Sequence, residues 1–274
     1  DILLGCGSDE VIQSMVQSRA RSDAVVCGPA PSFVMYRMCG LVNRMRYVEV
    51  PLAPDFTLDC ARFLAAIEEH QPALIFIAYP NNPTGNLFRE TDVLRILEAA
   101  PGLVVLDEAY HAFAQKSFMR RLAEHSNLIV MRTLSKIGMA GLRLGYAAGN
   151  PAWMREFDKV RPPYNVNVVT QLVAERLLAH ADVLAEQAAA IRGERSRIKA
   201  EFERLPGVTA FASDANFLLA RVPDAGRAFA GMKERGVLVK NLHGGHPLLA
   251  QCLRITVGTV EENTRCLTAL SASL

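Results

Sequence analysis

Short apolar runs alternate with longer amphipathic stretches over the first 160 residues, and this alternation restricts the possible folds more than any other feature. The apolar runs have the length of buried strands, and they cover residues 24–27, 47–50, 73–78, 103–106, 128–131 and 144–148. The stretches between them have a helical period, and they cover residues 10–20, 32–42, 60–70, 89–99 and 151–160. Because strands and helices take turns in this way, the sequence predicts an α/β fold, with a mostly parallel central sheet and helices on both of its faces.

The pattern changes after Arg161, and this change predicts a domain boundary. Residues 168–205 are rich in the strong helix formers Ala, Leu, Glu and Arg, and they predict two long helices. The strands predicted beyond them cover residues 208–211, 216–221, 237–240 and 252–257, and the helices cover residues 225–235 and 261–270. We therefore expect a large domain over residues 1–160 and a smaller α+β domain, which includes the long connecting helices, over residues 161–274.

Charge and cysteine content exclude several classes of function. The 30 basic and 28 acidic residues leave a net charge of +2 and form no basic block, so we expect no nucleic-acid partner. No apolar run reaches the roughly 20 residues that span a bilayer, so we expect no membrane partner. The six cysteines lie far apart without a CxxC pair, which predicts reduced thiols in a cytoplasmic protein. His243 and His246 flank two glycines without a third ligand nearby, so we expect no metal site.

A lysine follows the apolar run at residues 128–131, in the segment Arg132-Thr133-Leu134-Ser135-Lys136. The carboxyl ends of strands in an open α/β sheet form the edge where ligands bind. The amine of Lys136 is suited to form a Schiff base with an aldehyde cofactor. Thr133, Ser135 and the nearby Arg143 carry hydroxyls and a guanidinium that suit a phosphate. The alternative for a Ser-Lys pair taken alone is a lysine on a solvated turn.

An acidic residue ends another buried run, in the segment Val104-Val105-Leu106-Asp107-Glu108-Ala109-Tyr110. A carboxylate at the end of a buried strand is costly unless it meets a positive partner, and a protonated pyridine nitrogen is such a partner. The hydroxyl of Tyr110 is suited to hydrogen-bond an oxygen on the same ring. The alternative interpretation of Asp107 is a helix N-cap after the strand.

Three further segments place polar or aromatic residues at strand ends. In Tyr79-Pro80-Asn81-Asn82-Pro83 the prolines predict a rigid turn, which makes the amide of Asn82 available to a ring oxygen. Gly7-Ser8-Asp9-Glu10 opens a helix whose free N–H groups predict an anion site, unless Ser8 is an ordinary cap. Phe33 follows a strand, and it either stacks on a cofactor ring or packs in the core.

Together these motifs resemble the fold type I pyridoxal-phosphate aminotransferases, and most closely their histidinol-phosphate aminotransferase branch. The motifs occur in the family's order and spread over nearly the whole chain. They are Gly7-Ser8-Asp9-Glu10, Asn81-Asn82-Pro83-Thr84-Gly85, Asp107-Glu108-Ala109-Tyr110, Thr133-Leu134-Ser135-Lys136, Gly141-Leu142-Arg143-Leu144-Gly145 and Leu253-Arg254-Ile255-Thr256-Val257-Gly258.

The resemblance implies a role for each site residue. Lys136 would be the Schiff-base lysine and proton shuttle, and Asp107 the partner of the pyridine nitrogen, with Tyr110 completing the catalytic set. The cofactor-binding set would contain, besides these three, Ser8, Asp9, Glu10, Phe33, Asn82, Thr133, Ser135 and Arg143. The substrate-binding set would contain Asn82, Arg254 and Lys240. Arg254 would clamp a substrate carboxylate, where the alternative is a surface arginine, and Lys240 would replace an arginine near the substrate phosphate.

The resemblance also implies an activity and an assembly. The expected reaction transfers an amino group from a small-molecule donor, L-histidinol phosphate, to a 2-oxo acid, 2-oxoglutarate, with pyridoxal 5'-phosphate as cofactor, as a step of histidine biosynthesis. Threonine-phosphate decarboxylation, aromatic amino-acid transamination and a truncated remnant without turnover are the alternatives. We expect a homodimer. Family members have several dozen residues before the position of Asp1, so we also expect that the chain is truncated at its start.

Overall fold

The computed structural model describes residues 1–274 and contains two β-sheets. The strands of the larger sheet are β1 (Ile2–Cys6), β2 (Val25–Ala30), β3 (Arg46–Pro51), β4 (Leu74–Ala78), β5 (Leu103–Asp107), β6 (Leu128–Thr133) and β7 (Leu144–Gly149). Their spatial order is β1-β7-β6-β5-β4-β2-β3. Strands β3, β2, β4, β5 and β6 are parallel to one another, and β7 is antiparallel to both of its neighbours. The predicted α/β fold with a mostly parallel sheet is therefore confirmed.

Helices cover both faces of this sheet and bury its inner strands from both sides, whereas the edge strands β1 and β3 are partly exposed. The helices within the first 160 residues are α1 (Ser8–Arg19), α2 (Val34–Val42), α3 (Cys60–His70), α4 (Glu90–Ala99), α5 (His111–Ala114) and α6 (Pro151–Asp158). Along β4, Ile75 and Ile77 face one hydrophobic cluster, whereas Leu74 and Phe76 face the other. Because both faces of the inner strands are buried, the sequences of β4 and β5 are continuous apolar runs, which is the pattern that made them recognisable.

The remaining elements form a second, antiparallel sheet with its own hydrophobic cluster. They are α7 (Val168–Leu178), α8 (Ala181–Phe202), β8 (Thr209–Ala210), β9 (Phe217–Arg221), α9 (Ala225–Glu234), β10 (Lys240–Asn241), β11 (Cys252–Thr256) and α10 (Val260–Ser271). The strand predicted at residues 237–240 was wrong in its extent, because only Lys240 of that run pairs with β11. Val237 and Val239 are apolar because they pack against this cluster, not because they pair. The division of the chain into two domains near Arg161 stays a prediction.

The directions of the strands place most of their carboxyl ends at one edge of the sheet. Strand β1 is antiparallel to β7 and β7 is antiparallel to β6, so β1 runs in the same direction as the parallel strands. The carboxyl ends of β1, β2, β4, β5 and β6 therefore open at the same edge of the sheet, which is where such sheets bind ligands. None of the helices is long and apolar enough to cross a bilayer.

Candidate active site

A cavity of about 180 Å³ lies at this edge, and segments that follow five different strands line it. A dry cavity of about 150 Å³ holds benzene, so this one has room for a single aromatic ring. Ten of the eleven residues predicted to bind the cofactor line it, and Glu10 is the exception. The complete lining is Ser8, Asp9, Phe33, Tyr36, Ala78, Pro80, Asn82, Asp107, Ala109, Tyr110, Thr133, Ser135, Lys136, Ala140 and Arg143.

Asp107, the last residue of β5, places a buried carboxylate in the cavity, and only 4% of the residue is exposed. Its Oδ1 accepts a hydrogen bond from the backbone N–H of Ala109 at 3.0 Å, and its Oδ2 accepts one from the hydroxyl of Tyr36 at 2.8 Å. Burial raises the pKa of Asp107 to about 6, although both donors and the charge of Lys136 act in the opposite direction. The capping alternative explains only the Ala109 bond, because the N-cap of α5 is Tyr110. A buried acid of this kind is suited to a cationic partner in the cavity.

Lys136 supplies the amine, and it lies in a one-turn 3-10 helix, Ser135–Ile137, immediately after β6. Its Nζ lies 5.8 Å from the centroid of the Tyr110 ring. Gly138 follows with a φ of 91°, a left-handed conformation that a glycine adopts without strain. Lys136 and Asp107 therefore line the same ring-sized cavity, although Lys136 itself is exposed to solvent, and its role as the reactive amine stays a prediction.

The start of α1 has the features of an anion site, and it lies on the side of the cavity that Ser8 and Arg143 line. Gly7 is the N-cap of α1 and no side chain caps the helix, so Ser8 is not an ordinary capping serine. The positive end of the helix dipole and the uncapped N–H groups favour an anion here. The guanidinium of Arg143 lies 3.9 Å from the carboxylate of Asp9. A Cβ on Gly7 would collide with that guanidinium, so the glycine is what allows Arg143 to approach the turn.

Hydroxyl groups after β6 complete the anion site. The hydroxyl of Thr133 lies 3.0 Å from the hydroxyl of Ser135 and accepts a hydrogen bond from the N–H of Ser135 at 3.2 Å. Gly145 of β7 passes close to the α1 turn, since a Cβ there would come within 2.5 Å of the backbone nitrogen of Ser8. The residues present at this end, a guanidinium, hydroxyls and free N–H groups, fit a phosphate group.

Arg254 on β11 reaches the rim of the cavity through Asn82. Its guanidinium donates a hydrogen bond to Oδ1 of Asn82 at 2.5 Å and lies over the ring of Phe217 at 5.2 Å. Because Oδ1 of Asn82 is engaged in this way, its Nδ2 is the group left to donate to a ligand. The ring of Tyr110 packs edge-on against Phe217 at 5.2 Å, and burial raises the pKa of Tyr110 to about 12, so its hydroxyl stays protonated. Arg254 is thus tied to the site and is not an isolated surface arginine.

Several predicted residues lie outside the cavity. Lys240 is exposed and stands directly opposite Arg254 in the β10–β11 ladder, without lining the cavity. Glu10 is not brought to the cofactor side, because its carboxylate accepts hydrogen bonds from the N–H of Cys6 at 2.7 Å and the amide of Asn165 at 2.5 Å. It fastens the α1 turn to the segment before α7. The rings of His243 and His246 accept backbone N–H groups from their own loop.

Sequence reasoning missed Tyr36, which is fully buried and lines the cavity beside Phe33. The two rings meet edge-on with centroids 5.5 Å apart. The available signal was the spacing of three residues, which brings Phe33, the N-cap of α2, and Tyr36, in its first turn, to the same side of the helix start. Phe33 satisfies both of its interpretations, because it lines the cavity and also packs against Tyr36.

Comparison with known proteins gives the family. The family model for class I and II aminotransferases matches residues 1–270. Histidinol-phosphate aminotransferase 1 of Burkholderia lata is 53% identical over 275 residues, which cover 100% of this chain and 77% of the relative. Histidinol-phosphate aminotransferase 2 of Cupriavidus pinatubonensis is 54% identical over 279 residues, which cover 100% of this chain and 76% of the relative.

A solved structure agrees with these relatives. The crystal structure of histidinol-phosphate aminotransferase from Sinorhizobium meliloti in complex with pyridoxal-5'-phosphate has a TM-score of 0.88 and 28% sequence identity, and the match covers 99% of this chain and 76% of that chain. The match to the family model spans nearly the whole chain and agrees with the motifs that line the cavity. The chain therefore belongs to the class I and II aminotransferase family.

Proposed function

We propose that this chain transfers the amino group of L-histidinol phosphate to 2-oxoglutarate, with pyridoxal 5'-phosphate as its cofactor, and so forms imidazole acetol phosphate and glutamate. The observation that carries the proposal is that Lys136 and Asp107 line one cavity with room for a single aromatic ring. The relatives that share more than half of their aligned residues with this chain are named for this reaction. The Sinorhizobium meliloti structure with the cofactor supports the choice of pyridoxal phosphate.

The chemistry is divided between an amine and an acid. Pyridoxal phosphate supplies an aldehyde that condenses with amines and a ring that accepts electrons from the substrate α-carbon. The Nζ of Lys136 would hold the cofactor covalently and, as a free amine, would move the proton of the substrate α-carbon. The carboxylate of Asp107 would keep a proton on the ring nitrogen, and this cation would be the partner that a buried acid with a raised pKa requires.

The polar groups at the two ends of the cavity orient the cofactor. The hydroxyls of Ser8 and Ser135, the guanidinium of Arg143 and the N–H of Asp9 would bind its phosphate, and Thr133, which accepts a hydrogen bond from the N–H of Ser135, would position that serine. Asn82 and Tyr110 line the cavity and would donate hydrogen bonds to the ring oxygen of the cofactor. Phe33 covers the ring as an aromatic contact.

Two basic residues recognise the substrates. Arg254 has a planar guanidinium that pairs with the carboxylate of 2-oxoglutarate, and Asn82 holds it at the cavity rim. Lys240 stands beside Arg254 in the ladder and supplies a point charge for the phosphate of the amino donor. This assignment makes Lys240 a specificity residue for phosphorylated donors.

We further propose that the protein is a cytoplasmic homodimer. Its six cysteines are free thiols and five of them are buried, which fits a reducing compartment. Apolar side chains remain exposed on α7, where Val168, Val169 and Leu172 are 61–69% exposed, and α7 packs on the 3-10 helix Ala140–Leu142 at the cavity. Contiguous exposed apolar faces are typical of subunit interfaces. A Leu172→Glu variant should shift sedimentation toward the monomer, whereas Leu238→Glu, which changes an exposed leucine far from α7 in sequence, should not.

A donor panel tests the reaction itself. Glutamate formation from 2-oxoglutarate is measured with histidinol phosphate, histidinol, an aromatic amino acid and threonine phosphate as donors. We expect the highest kcat/KM with histidinol phosphate, and a Lys240→Ala variant should lose efficiency with histidinol phosphate but not with histidinol. Lys233→Ala, at an exposed lysine of α9, is the matched control. Release of carbon dioxide from threonine phosphate, a better rate with the aromatic donor, or no transfer from any donor would each contradict the proposal.

A further inference from the structure

The hydroxyl of Tyr36 makes a buried contact with the acid of the site. It donates a hydrogen bond to Oδ2 of Asp107 at 2.8 Å, across 71 residues of sequence. The other oxygen of Asp107 accepts the N–H of Ala109, so two donors hold the carboxylate while it faces the cavity. Tyr36 lines the same cavity, and the residue is fully buried.

Aromatic packing fixes the ring of Tyr36 in place. It stacks on Phe76 of β4 with centroids 4.8 Å apart and an angle of 7° between the rings. Phe33 packs against its edge at 5.5 Å. Because the ring is held on two sides within the core, the hydroxyl has little freedom to turn away from Asp107. The hydrogen bond is therefore a built feature of the site and not a transient contact.

A hydrogen-bond donor changes where a shared proton rests. When a carboxylate and a pyridine nitrogen share one proton, the proton stays with the stronger base, and a donor to the carboxylate weakens it as a base. We propose that Tyr36 is a positioning residue whose hydroxyl keeps the shared proton on the cofactor nitrogen instead of on Asp107. This inference rests on the proposed function, because it takes Asp107 as the partner of that nitrogen.

The other charged groups around the pair do not replace Tyr36. Burial raises the pKa of Asp107, the charge of Lys136 lowers it, and the charge of Asp9 raises it. Burial and the adjacent Asp107 raise the pKa of Tyr36 well above its ordinary value, and Tyr47 and Tyr110 act in the same direction. Tyr36 is thus a neutral donor at any physiological pH, and its hydroxyl is one of the two direct donors to this carboxylate.

The test removes the hydroxyl and follows the proton in two ways. The first is the pH titration of the Asp107 carboxyl carbon by 13C NMR in the protein without cofactor. The second is the 15N NMR signal of cofactor labelled at its ring nitrogen, which separates the protonated from the unprotonated ring. Tyr36→Phe is compared with Tyr79→Phe, which removes the hydroxyl of another buried tyrosine, whose ring packs against Phe118.

We expect the Tyr36→Phe substitution to raise the pKa of Asp107 by about one to two units, since hydrogen bonds to charged groups contribute that much. The ring nitrogen signal should move toward the unprotonated form, and Tyr79→Phe should leave both measurements at their wild-type values. An unchanged carboxyl titration overturns the inference, and so does a ring nitrogen that stays fully protonated in Tyr36→Phe.

A second substitution covers the case in which Tyr36→Phe does not fold. Incorporating 3-fluorotyrosine at position 36 keeps the shape of the ring and makes the phenol a stronger donor, so the pKa of Asp107 should fall. No change in that pKa overturns the inference. Failure of the proposed function is distinguishable, because it would show as no covalent cofactor on Lys136, whereas the titration without cofactor depends on Tyr36 and Asp107 alone.

Discussion

Glu108, the residue after Asp107, forms a buried ion pair with Arg132, and breaking this pair should destabilise the whole protein. Glu108 follows Asp107 and its side chain is 0% exposed, while that of Arg132 on β6 is 17% exposed. The Nε and Nη2 of Arg132 donate to Oε2 of Glu108 at 3.0 and 2.8 Å. Ser117 and the N–H of Phe118 donate to the same carboxylate at 2.8 and 2.6 Å. This network fastens the turn that carries Asp107 and Tyr110.

The magnitude follows from burial. An Arg132→Met substitution keeps most of the packed side-chain length but leaves the carboxylate of Glu108 buried without its cation, which costs about 3–5 kcal/mol. With a urea dependence of roughly 3 kcal/mol per M, the unfolding midpoint should fall by about 1 M or more. The matched control is Lys159→Met, which breaks an ion pair with Glu156 whose side chains are 66% and 50% exposed. That loss should be about 1 kcal/mol or less.

The assay is urea unfolding followed by far-UV circular dichroism at pH 7 for both variants and the wild type. We expect the Arg132→Met midpoint to fall by several times the change in the Lys159→Met midpoint. Equal and small changes in both variants would refute the reasoning, because they would mean that the carboxylate of Glu108 is hydrated or neutralised without Arg132.

Three further outcomes follow from the site. The pKa of Asp107 is about 6, above its ordinary value of 3.8, so the folded chain binds this proton more tightly and its stability falls as pH rises from about 4 to 6. Between pH 4 and 6 the free energy of unfolding of the wild type without cofactor should fall by about 3 kcal/mol relative to that of Asp107→Asn, measured by urea unfolding. The same pH dependence of stability in both proteins would contradict this. Gly7→Ala should lower the free energy of unfolding by about 1–3 kcal/mol in urea, because a φ of 81° with a ψ of 166° is almost restricted to glycine, and an unchanged unfolding midpoint would contradict this. Arg254→Lys loses the planar fork, so KM for 2-oxoglutarate should rise at least roughly tenfold, and an unchanged KM would show that Arg254 does not bind this substrate.

Periodicity predicted the elements of the large sheet well, and its limits have physical causes. The run at residues 73–78 was recognisable because both faces of β4 are buried. The antiparallel direction of β7 was not predictable, since an apolar run buried on both faces looks the same in either direction. At residues 237–240 the apolar residues pack against the hydrophobic core of the second sheet, and the sequence could not show whether they also form strand pairs.

The motifs predicted most of the residues that line the cavity, but they did not predict side-chain contacts between segments that are distant in sequence. Lys136, Asp107 and Arg143 come from strand ends, so a parallel sheet brings them together once its edge is known. The bond between Tyr36 and Asp107 joins residues that are 71 positions apart, and it depends on tertiary packing in which the ring of Tyr36 stacks on Phe76 of β4. Glu10 shares its turn with Ser8, but its side chain points to Asn165, a direction that the local sequence does not specify.

Borohydride reduction followed by peptide mass mapping tests the central claim most directly. The protein is incubated with pyridoxal phosphate, reduced and digested, and we predict one reduced cofactor on the peptide that contains Lys136. A Lys136→Ala variant should carry none, while Lys116→Ala, at an exposed lysine of the loop after α5, should keep the label at Lys136. A reduced cofactor on any other lysine of the wild type, or an equal label on Lys136→Ala, would contradict the account.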